Sequence, residues 1–343
     1  MALLWVTSPH AHGAQDTTQV MQTVLLATLP GVAVMTWFFG PGTLVNILFG
    51  SMVAVAMETV ALALRRRPIL RTLDDHSAVV TASLLCISLP PYSPWWLIVI
   101  GMASAIWLAK HFYGGLGYNP FNPAMVGYVV LLISFPVQMT AWAPPRGTGV
   151  EVPSFLDALR ACFAPQTYDA VTMATALDVV KQNSGMTMEA LWRESPQLGR
   201  WAGAGWEWVS LAFLAGGLWM LKKRLFTWHA PVGMLLSITL LSALFYDDGS
   251  SASKGSPLFH LLGGATLFGA FFIITDPVSS AVSNRGRLVY GALIGALVYT
   301  IRVAGNYPDA VAFAVLIMNF AAPFIDHYTQ PRTYGHRARP PPT

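Results

Sequence analysis

The chain has 343 residues, 54% of them apolar and 10% charged, with a net charge of +4. A soluble domain carries about 25% charged residues, so the composition excludes one and points to an integral membrane protein. The basic excess is too small for a nucleic-acid binder, and two cysteines, Cys86 and Cys162, fall short of the roughly four thiolates of an iron–sulfur cluster.

Taken in order, residues 1–20 form a polar arm with Ser8-Pro9-His10 and His12. Two histidines without a further ligand make a poor metal site. No basic stretch precedes a short apolar core, so no cleaved signal peptide is expected. A first membrane unit, residues 21–140, follows. Its first span covers 22–39, the turn Gly40-Pro41-Gly42 leads into a second that reaches Leu64, and Arg65-Arg66-Arg67 marks a cytoplasmic end. The third apolar segment, 77–89, carries Ser77, Thr81 and Ser83 and stops at Pro90-Pro91. It barely crosses a bilayer core at about 1.5 Å per residue, so it reads as a broken or half helix lining a cavity. Cys86 in this run reads as a core residue. Trp95 and Trp96 suit an interfacial belt before a fourth span that reaches Lys110, and a fifth begins near Asn122 and ends before Pro136.

Residues 141–205 are a polar loop. A second membrane unit, 206–326, has spans at about 206–221, 230–246, 258–275, 288–304 and 310–325, and a tail covers 327–343. The expected fold is therefore an all-α polytopic membrane protein of about ten transmembrane helices; no alternating ten-residue segments suggest a β-barrel. With both termini cytoplasmic, Arg65, Arg66, Arg67, Arg71, Lys110, Lys222, Lys223, Arg224, Arg285, Arg287, Arg332, Arg337 and Arg339 share the cytoplasmic side, and the 141–205 loop is outside, in the periplasm of a bacterium. The two units echo each other. Gly117-Tyr118-Asn119-Pro120 before Phe121-Asn122-Pro123-Ala124 matches Gly305-Asn306-Tyr307-Pro308 before Asn319-Phe320-Ala321-Ala322-Pro323, and the third segment pairs with 258–277. Five spans per unit give opposite topologies, an inverted repeat with broken half-helices and sites between them.

Three stretches and one isolated acid carry candidate chemistry. In Gly114-Gly115-Leu116-Gly117-Tyr118-Asn119-Pro120-Phe121-Asn122-Pro123-Ala124, glycines allow close approach while Asn119 and Asn122 offer donors and acceptors that suit the edge of a planar heterocycle. Asn122 followed by Pro123 reads on spacing as a helix cap, which does not exclude ligand contact. Asp276, in Thr275-Asp276-Pro277, is either a functional carboxylate at the membrane edge or an Asp-Pro turn with Arg285 and Arg287 nearby. Glu58, within the second span, either serves an ion path, pairs with a polar neighbour, or is hydrated near the interface. Thr172-Met173-Ala174-Thr175 in the loop has no local base to activate a threonine hydroxyl and reads on its own as loop or cap.

Ser8-Pro9-His10, Asp75-His76-Ser77-Ala78, Gly114 to Met125, Thr172 to Thr175, Thr275-Asp276-Pro277-Val278 and Asn319 to Asp326, in this order, resemble the D subunits of Rnf electron-transport complexes and the homologous B subunits of sodium-pumping NADH:quinone oxidoreductases. The resemblance covers essentially the whole chain. It implies FMN joined through its phosphate to Thr175, the last threonine of a Ser/Thr-Gly-Ala-Thr-like motif that begins at Thr172 and has Met173 where glycine is usual. A separate flavin transferase makes the bond. It further implies a non-covalent riboflavin in the membrane, with Asn119, Asn122 and Thr81 as its contacts, and Arg302 is a candidate to stabilise the FMN phosphate or a reduced ring, or else a snorkelling arginine. The implied function is that of a subunit of an ion-translocating oxidoreductase, passing electrons in ferredoxin:NAD oxidoreduction coupled to Na+ or H+ movement. Glu58 and Asp276 are the coupling candidates. No complete active site, cluster motif or dinucleotide fingerprint is on this chain. The expected partners are a periplasmic flavin subunit, cluster-bearing membrane subunits, cytoplasmic subunits that react with NAD and ferredoxin, and lipid of the bacterial inner membrane, with no nucleic acid. Competing readings are the quinone-reducing homologue, a flavin-free secondary transporter with the same kind of repeat, and a structural anchor.

Overall fold

The computed structural model describes residues 16–164, 172–183, 185–307 and 309–330. Ser8-Pro9-His10, His12, Arg332, Arg337 and Arg339 lie outside the described residues. Among those described the structure is helical, with one isolated bridge, Leu198 to Gly203, and no strand. The first group of helices is α1 (Thr17–Phe39), α2 (Gly42–Leu64), α3 (Ile69–Leu73), α4 (Ser77–Ser88), α5 (Trp95–Ala103) running on through a π-helical stretch to His111, α6 (Pro123–Ser134) and α7 (Pro136–Thr140). The polar loop holds α8 (Phe155–Phe163), α9 (Ala176–Gln182) and α10 (Met188–Glu194). Then come α11 (Trp206–Lys222), α12 (His229–Leu244), α13 (Pro257–Leu262), α14 (Thr266–Phe268) with a π-helical turn to Ile273, α15 (Asn284–Ala304) and α16 (Val311–Thr329).

Four of these, α1, α2, α15 and α16, are long and apolar enough to cross a membrane, and α4, α5, α6 and α12 are shorter apolar helices. In α1 and α2 only 28% of the most apolar window is buried. Leu48, Met52 and Leu64 therefore point outward from helices with almost no charge. That arrangement is stable only where the surrounding solvent is itself apolar. The chain is a multi-pass membrane protein.

Helix termini follow the sequence closely. Asp16 caps α1 through its side chain and Gly40 ends it at φ 87°. Between α12 and α15 the contact is as close as two helices allow, because Gly291 and Gly295 face the carbonyls of Ala230 and Met234, where a Cβ would sit 2.1 and 2.4 Å from the oxygens. Small residues four apart are the membrane device for this approach, since apolar burial does not drive helices together in lipid.

The segment expected as one span at 258–275 is broken. After α13 the chain turns through Gly263, Gly264 (φ 61°) and Ala265 before α14 resumes. Arg302 on α15 crosses this break. Its guanidinium donates to the carbonyl oxygens of His260 (2.9 Å) and Gly263 (3.3 Å) and pairs with Asp309 Oδ1 (3.0 Å), while Asp309 Oδ2 accepts the Ala265 N–H at 2.7 Å. Carbonyls freed by a break within the membrane must find a donor in the protein, and a buried arginine supplies it. At 4% exposure Arg302 is a buried brace, which removes the snorkelling alternative.

The polar loop is a packed unit rather than a tether. Ala176, Leu177, Val180, Met188, Leu191, Leu198 and Ala202 form an apolar cluster with Phe259 of α13. This fixes α9, and the threonine that caps it, against the broken helix.

Candidate functional site

Two cavities open between residues that precede the polar loop and residues that follow it. The first, about 110 Å³, is lined by Thr175 and Asp178 of the loop, Ser88 of α4, Tyr128 of α6, Trp142, Trp206 and the break at Gly263-Gly264-Ala265. The second, about 130 Å³, is lined by Ser77 and Thr81 of α4, Lys110, Asn119, Asn122, Phe271, Phe272 and Asp276 among others. Both run along α4 and α6. Thr81 and Ser88 lie seven residues apart, about 10 Å along α4 at about 1.5 Å of rise per residue, while the two linings adjoin at Ala124 and Met125 of α6.

In the first cavity Thr175 is the N-cap of α9. Its hydroxyl donates to Asp178 Oδ2 at 2.6 Å, its N–H donates to the same oxygen at 3.0 Å, and the Asp178 N–H returns to Thr175 Oγ1 at 3.3 Å. Thr–x–x–Asp here is a capping box, so the spacing is first of all a helix start. Thr172 is exposed. The Met173 N–H donates to the Trp142 carbonyl at 2.9 Å and pins the motif to the cavity wall, with no positive φ that would demand glycine there. Trp142 packs edge-on to Trp206 at 5.0 Å, and Trp206 lies 4.8 Å from Phe39. Among the described residues, Asp178 and Asp309 line the cavity and no cation does. Arg302 stands behind Gly263 and Asp309 and is not in the lining. Lys181, on the same short helix as Asp178, donates to the Tyr307 carbonyl at 2.7 Å. Burial holds its ammonium below the ordinary lysine value, and the Asp178 charge pulls the other way.

The second cavity gathers Thr81, Asn119, Asn122 and Asp276, four residues picked out in the sequence. Asn122 caps α6, its Oδ1 accepting from the Met125 N–H at 3.2 Å, so the cap reading holds; its Nδ2 reaches toward the Ile273 carbonyl at 3.4 Å. The cap and the cavity lining are the same residue. Asn119 donates to the Phe121 carbonyl at 3.0 Å, and its buried Oδ1 has no partner among the described residues. Thr81 Oγ1 donates to the Ser77 carbonyl at 2.9 Å. Asp276 accepts from Ser279 Oγ (2.7 Å) and the Val278 N–H (3.2 Å), whereas Arg287 is turned to Ala281 and Thr227. The Asp-Pro turn is real, and its carboxylate still faces the cavity.

Glu58 is paired. Its Oε1 lies 2.6 Å from Lys110 Nζ and 3.3 Å from His111 Nε2, all three residues being buried. Lys110, grouped by sequence with the basic residues of the cytoplasmic connections, is thus an interior cation at 1% exposure, drawn in by the π-helical end of α5. Sequence reasoning does not single out Lys110, Tyr128, Trp142, Trp206 or Asp309 as site residues. A lysine directly after an apolar span and a tryptophan at each end of the polar loop are the signals that could have found them.

The sequence model of the NQR2, RnfD, RnfE family matches residues 5–335. The chain is 59% identical over 342 residues to the D subunit of the ion-translocating oxidoreductase complex of Cellvibrio japonicus, covering 98% of this chain and 96% of that protein. It is 55% identical over 338 residues to the Pseudomonas aeruginosa protein of the same description (98% and 97% covered) and 48% identical over 345 residues to the one from Escherichia coli (96% and 98%). A lipid-facing helical shell, a broken helix and two polar-lipped cavities are thus the fold of a chain that belongs to the NQR2, RnfD, RnfE family.

Proposed function

We propose that this chain is the membrane electron-transfer subunit of an Rnf-type ion-translocating oxidoreductase, with FMN esterified to Thr175 and riboflavin held in the second cavity. The observation that carries the reading is the placement of the candidate residues. Thr175 lines an aromatic-walled cavity, and Asn119, Asn122 and Thr81 meet around the adjoining one on the same two helices. The relatives' description as D subunits of such complexes supports the assignment.

The residues present fit both groups. Trp142, Trp206 and Tyr128 offer aromatic surface for a flat ring in the first cavity, and its two carboxylates turn an esterified phosphate outward to water rather than inward. Esterification of Thr175 removes the hydroxyl proton given to Asp178 but leaves its oxygen able to accept the Asp178 N–H, so the start of α9 is retained. The second cavity combines apolar walls at Phe226, Phe271 and Phe272 with the unpartnered Asn119 Oδ1, the mix that holds a ring and fixes its orientation. Bound flavins supply the redox chemistry, and the protein supplies position, hydrogen bonds and a dry surrounding.

The finer architecture follows the same reading. The ten apolar helical segments form two inverted repeats of five, α4 and the α13–α14 pair being the broken members, in the bacterial inner membrane with cytoplasmic termini and a periplasmic flavin loop. Ferredoxin and NAD react on partner subunits, a flavin transferase matures Thr175, and Na+ or H+ is the coupled ion. Of the two coupling candidates Asp276 stands out, because Glu58 is already neutralised by Lys110. Arg302 acts on the first site through the break and Asp309.

The test is acid denaturation of the purified complex followed by flavin analysis. Riboflavin is expected in the supernatant and FMN on this subunit once it is separated from the periplasmic flavin subunit. Asn119→Leu is expected to lose the first and keep the second, and Thr175→Ala the reverse. Neither flavin in the wild-type complex would refute the reading.

A further inference from the structure

The polar atoms around the second cavity can be accounted for one by one. Ser77 Oγ donates to Asp75 and accepts from Lys110, Thr81 and Thr275 each donate to the carbonyl four residues back, and Asn122 and both oxygens of Asp276 are engaged. Two groups remain. One is the buried acceptor Asn119 Oδ1, which has no partner among the described residues. The other is the Lys110 ammonium, which has three N–H donors and uses two among the described residues, on Glu58 Oε1 (2.6 Å) and Ser77 Oγ (2.7 Å). Lys110 lines the cavity, so one vacant acceptor and one vacant cationic donor face the same space.

That pair matches one edge of an isoalloxazine, where an imide N–H lies next to a carbonyl oxygen. We infer that Lys110 is a flavin-binding residue of the second cavity, donating to a ring carbonyl beside the imide N–H that Asn119 Oδ1 accepts. The inference rests on the riboflavin reading above and adds the ring's orientation and its charged contact. A cation held at that edge also favours the reduced ring, which gathers negative charge there, and Glu58 sets how much of the Lys110 charge the ring feels. The π-helical stretch that ends α5 is what carries Lys110 inward, a distortion frequent at functional sites.

The experiment compares wild type, Lys110→Gln and Glu58→Gln as whole complexes, measuring affinity for free riboflavin after removal of non-covalent flavin and the midpoint potential of the rebound riboflavin. Lys110→Gln is expected to bind about tenfold or more weakly, as loss of a charged hydrogen bond does, and to shift the potential downward. Glu58→Gln, which leaves the cation unneutralised, is expected to shift it upward, a difference of sign that general loosening would not produce. If a single variant fails to assemble, the double variant Glu58→Gln/Lys110→Gln leaves no lone buried ion and must still bind about tenfold or more weakly. Wild-type affinity in Lys110→Gln or in the double variant, or potential shifts of one sign, overturns the inference. Absence of riboflavin from the wild-type complex by acid extraction instead removes the occupant itself, a result separable from a cavity that binds riboflavin without Lys110.

Discussion

The backbone N–H of Asn122 donates to Asn319 Oδ1 at 3.2 Å, joining two residues 197 positions apart in the chain. Asn319 in turn donates to the Ser279 carbonyl and the Tyr290 hydroxyl, each at 2.9 Å. The two Asn-containing echoes of the sequence therefore meet, both 4% exposed, at the start of α6 and within α16. Asn319→Leu strips the acceptor from the Asn122 N–H and the donor from two oxygens. Each buried group left alone costs about 1–3 kcal/mol. The melting temperature of the purified complex is expected to drop clearly, with riboflavin loss alongside; an unchanged melting curve would show that the contact contributes nothing to stability.

Asp309→Ala removes the counter-ion of a buried guanidinium and the acceptor of the Ala265 N–H. Leaving a buried charge unpaired costs about 3 kcal/mol or more. Because the break borders the first cavity, the variant is expected to melt earlier and to carry less flavin on Thr175. Full flavin loading at normal stability would deny Arg302 and Asp309 their bracing role.

A Cβ at Gly291 would lie 2.1 Å from the Ala230 carbonyl oxygen. Gly291→Val must therefore push α15 off α12, and the expected outcome is loss of the subunit from the assembled complex, read by co-purification. Normal assembly would mean that the two helices can separate without consequence.

Asp276 and Glu58 should behave differently. Asp276→Asn is expected to reduce ion transport in proteoliposomes more than electron transfer, because its carboxylate faces the second cavity without a cation partner among the described residues. Glu58→Gln should chiefly lower stability, since it leaves Lys110 unpaired. Unchanged transport per electron in Asp276→Asn would remove it from the coupling step.

Much of this is legible in the sequence, and the reasons differ by residue. Apolar runs bounded by prolines and glycines locate α1, α2, α4, α6 and α16, because helix length in a membrane is set by apolar length. Asn122-Pro123 announces its cap through local chemistry alone. Lys110 reads as a residue of a cytoplasmic connection, because its burial depends on a π-helical shift and on Glu58, 52 residues away, which no local pattern encodes. Likewise the polar loop gives no sign of packing on Phe259, since its apolar residues are spread over several short segments. Thr175 is the sharpest case. Its capping-box spacing is ordinary, and only resemblance to the family, together with its place at the first cavity, sets it apart from Ser154, which caps α8 in the same way.

The most direct test of the central claim is in-gel flavin fluorescence of the SDS-denatured subunit, expressed with the flavin transferase, in wild type and Thr175→Ala. Denaturation releases riboflavin but leaves a phosphoester-linked FMN in place. A fluorescent wild-type band that disappears in Thr175→Ala is the predicted result. A dark wild-type band from properly matured complex, or a Thr175→Ala band as bright as wild type, would contradict the account, the former returning weight to a flavin-free transporter.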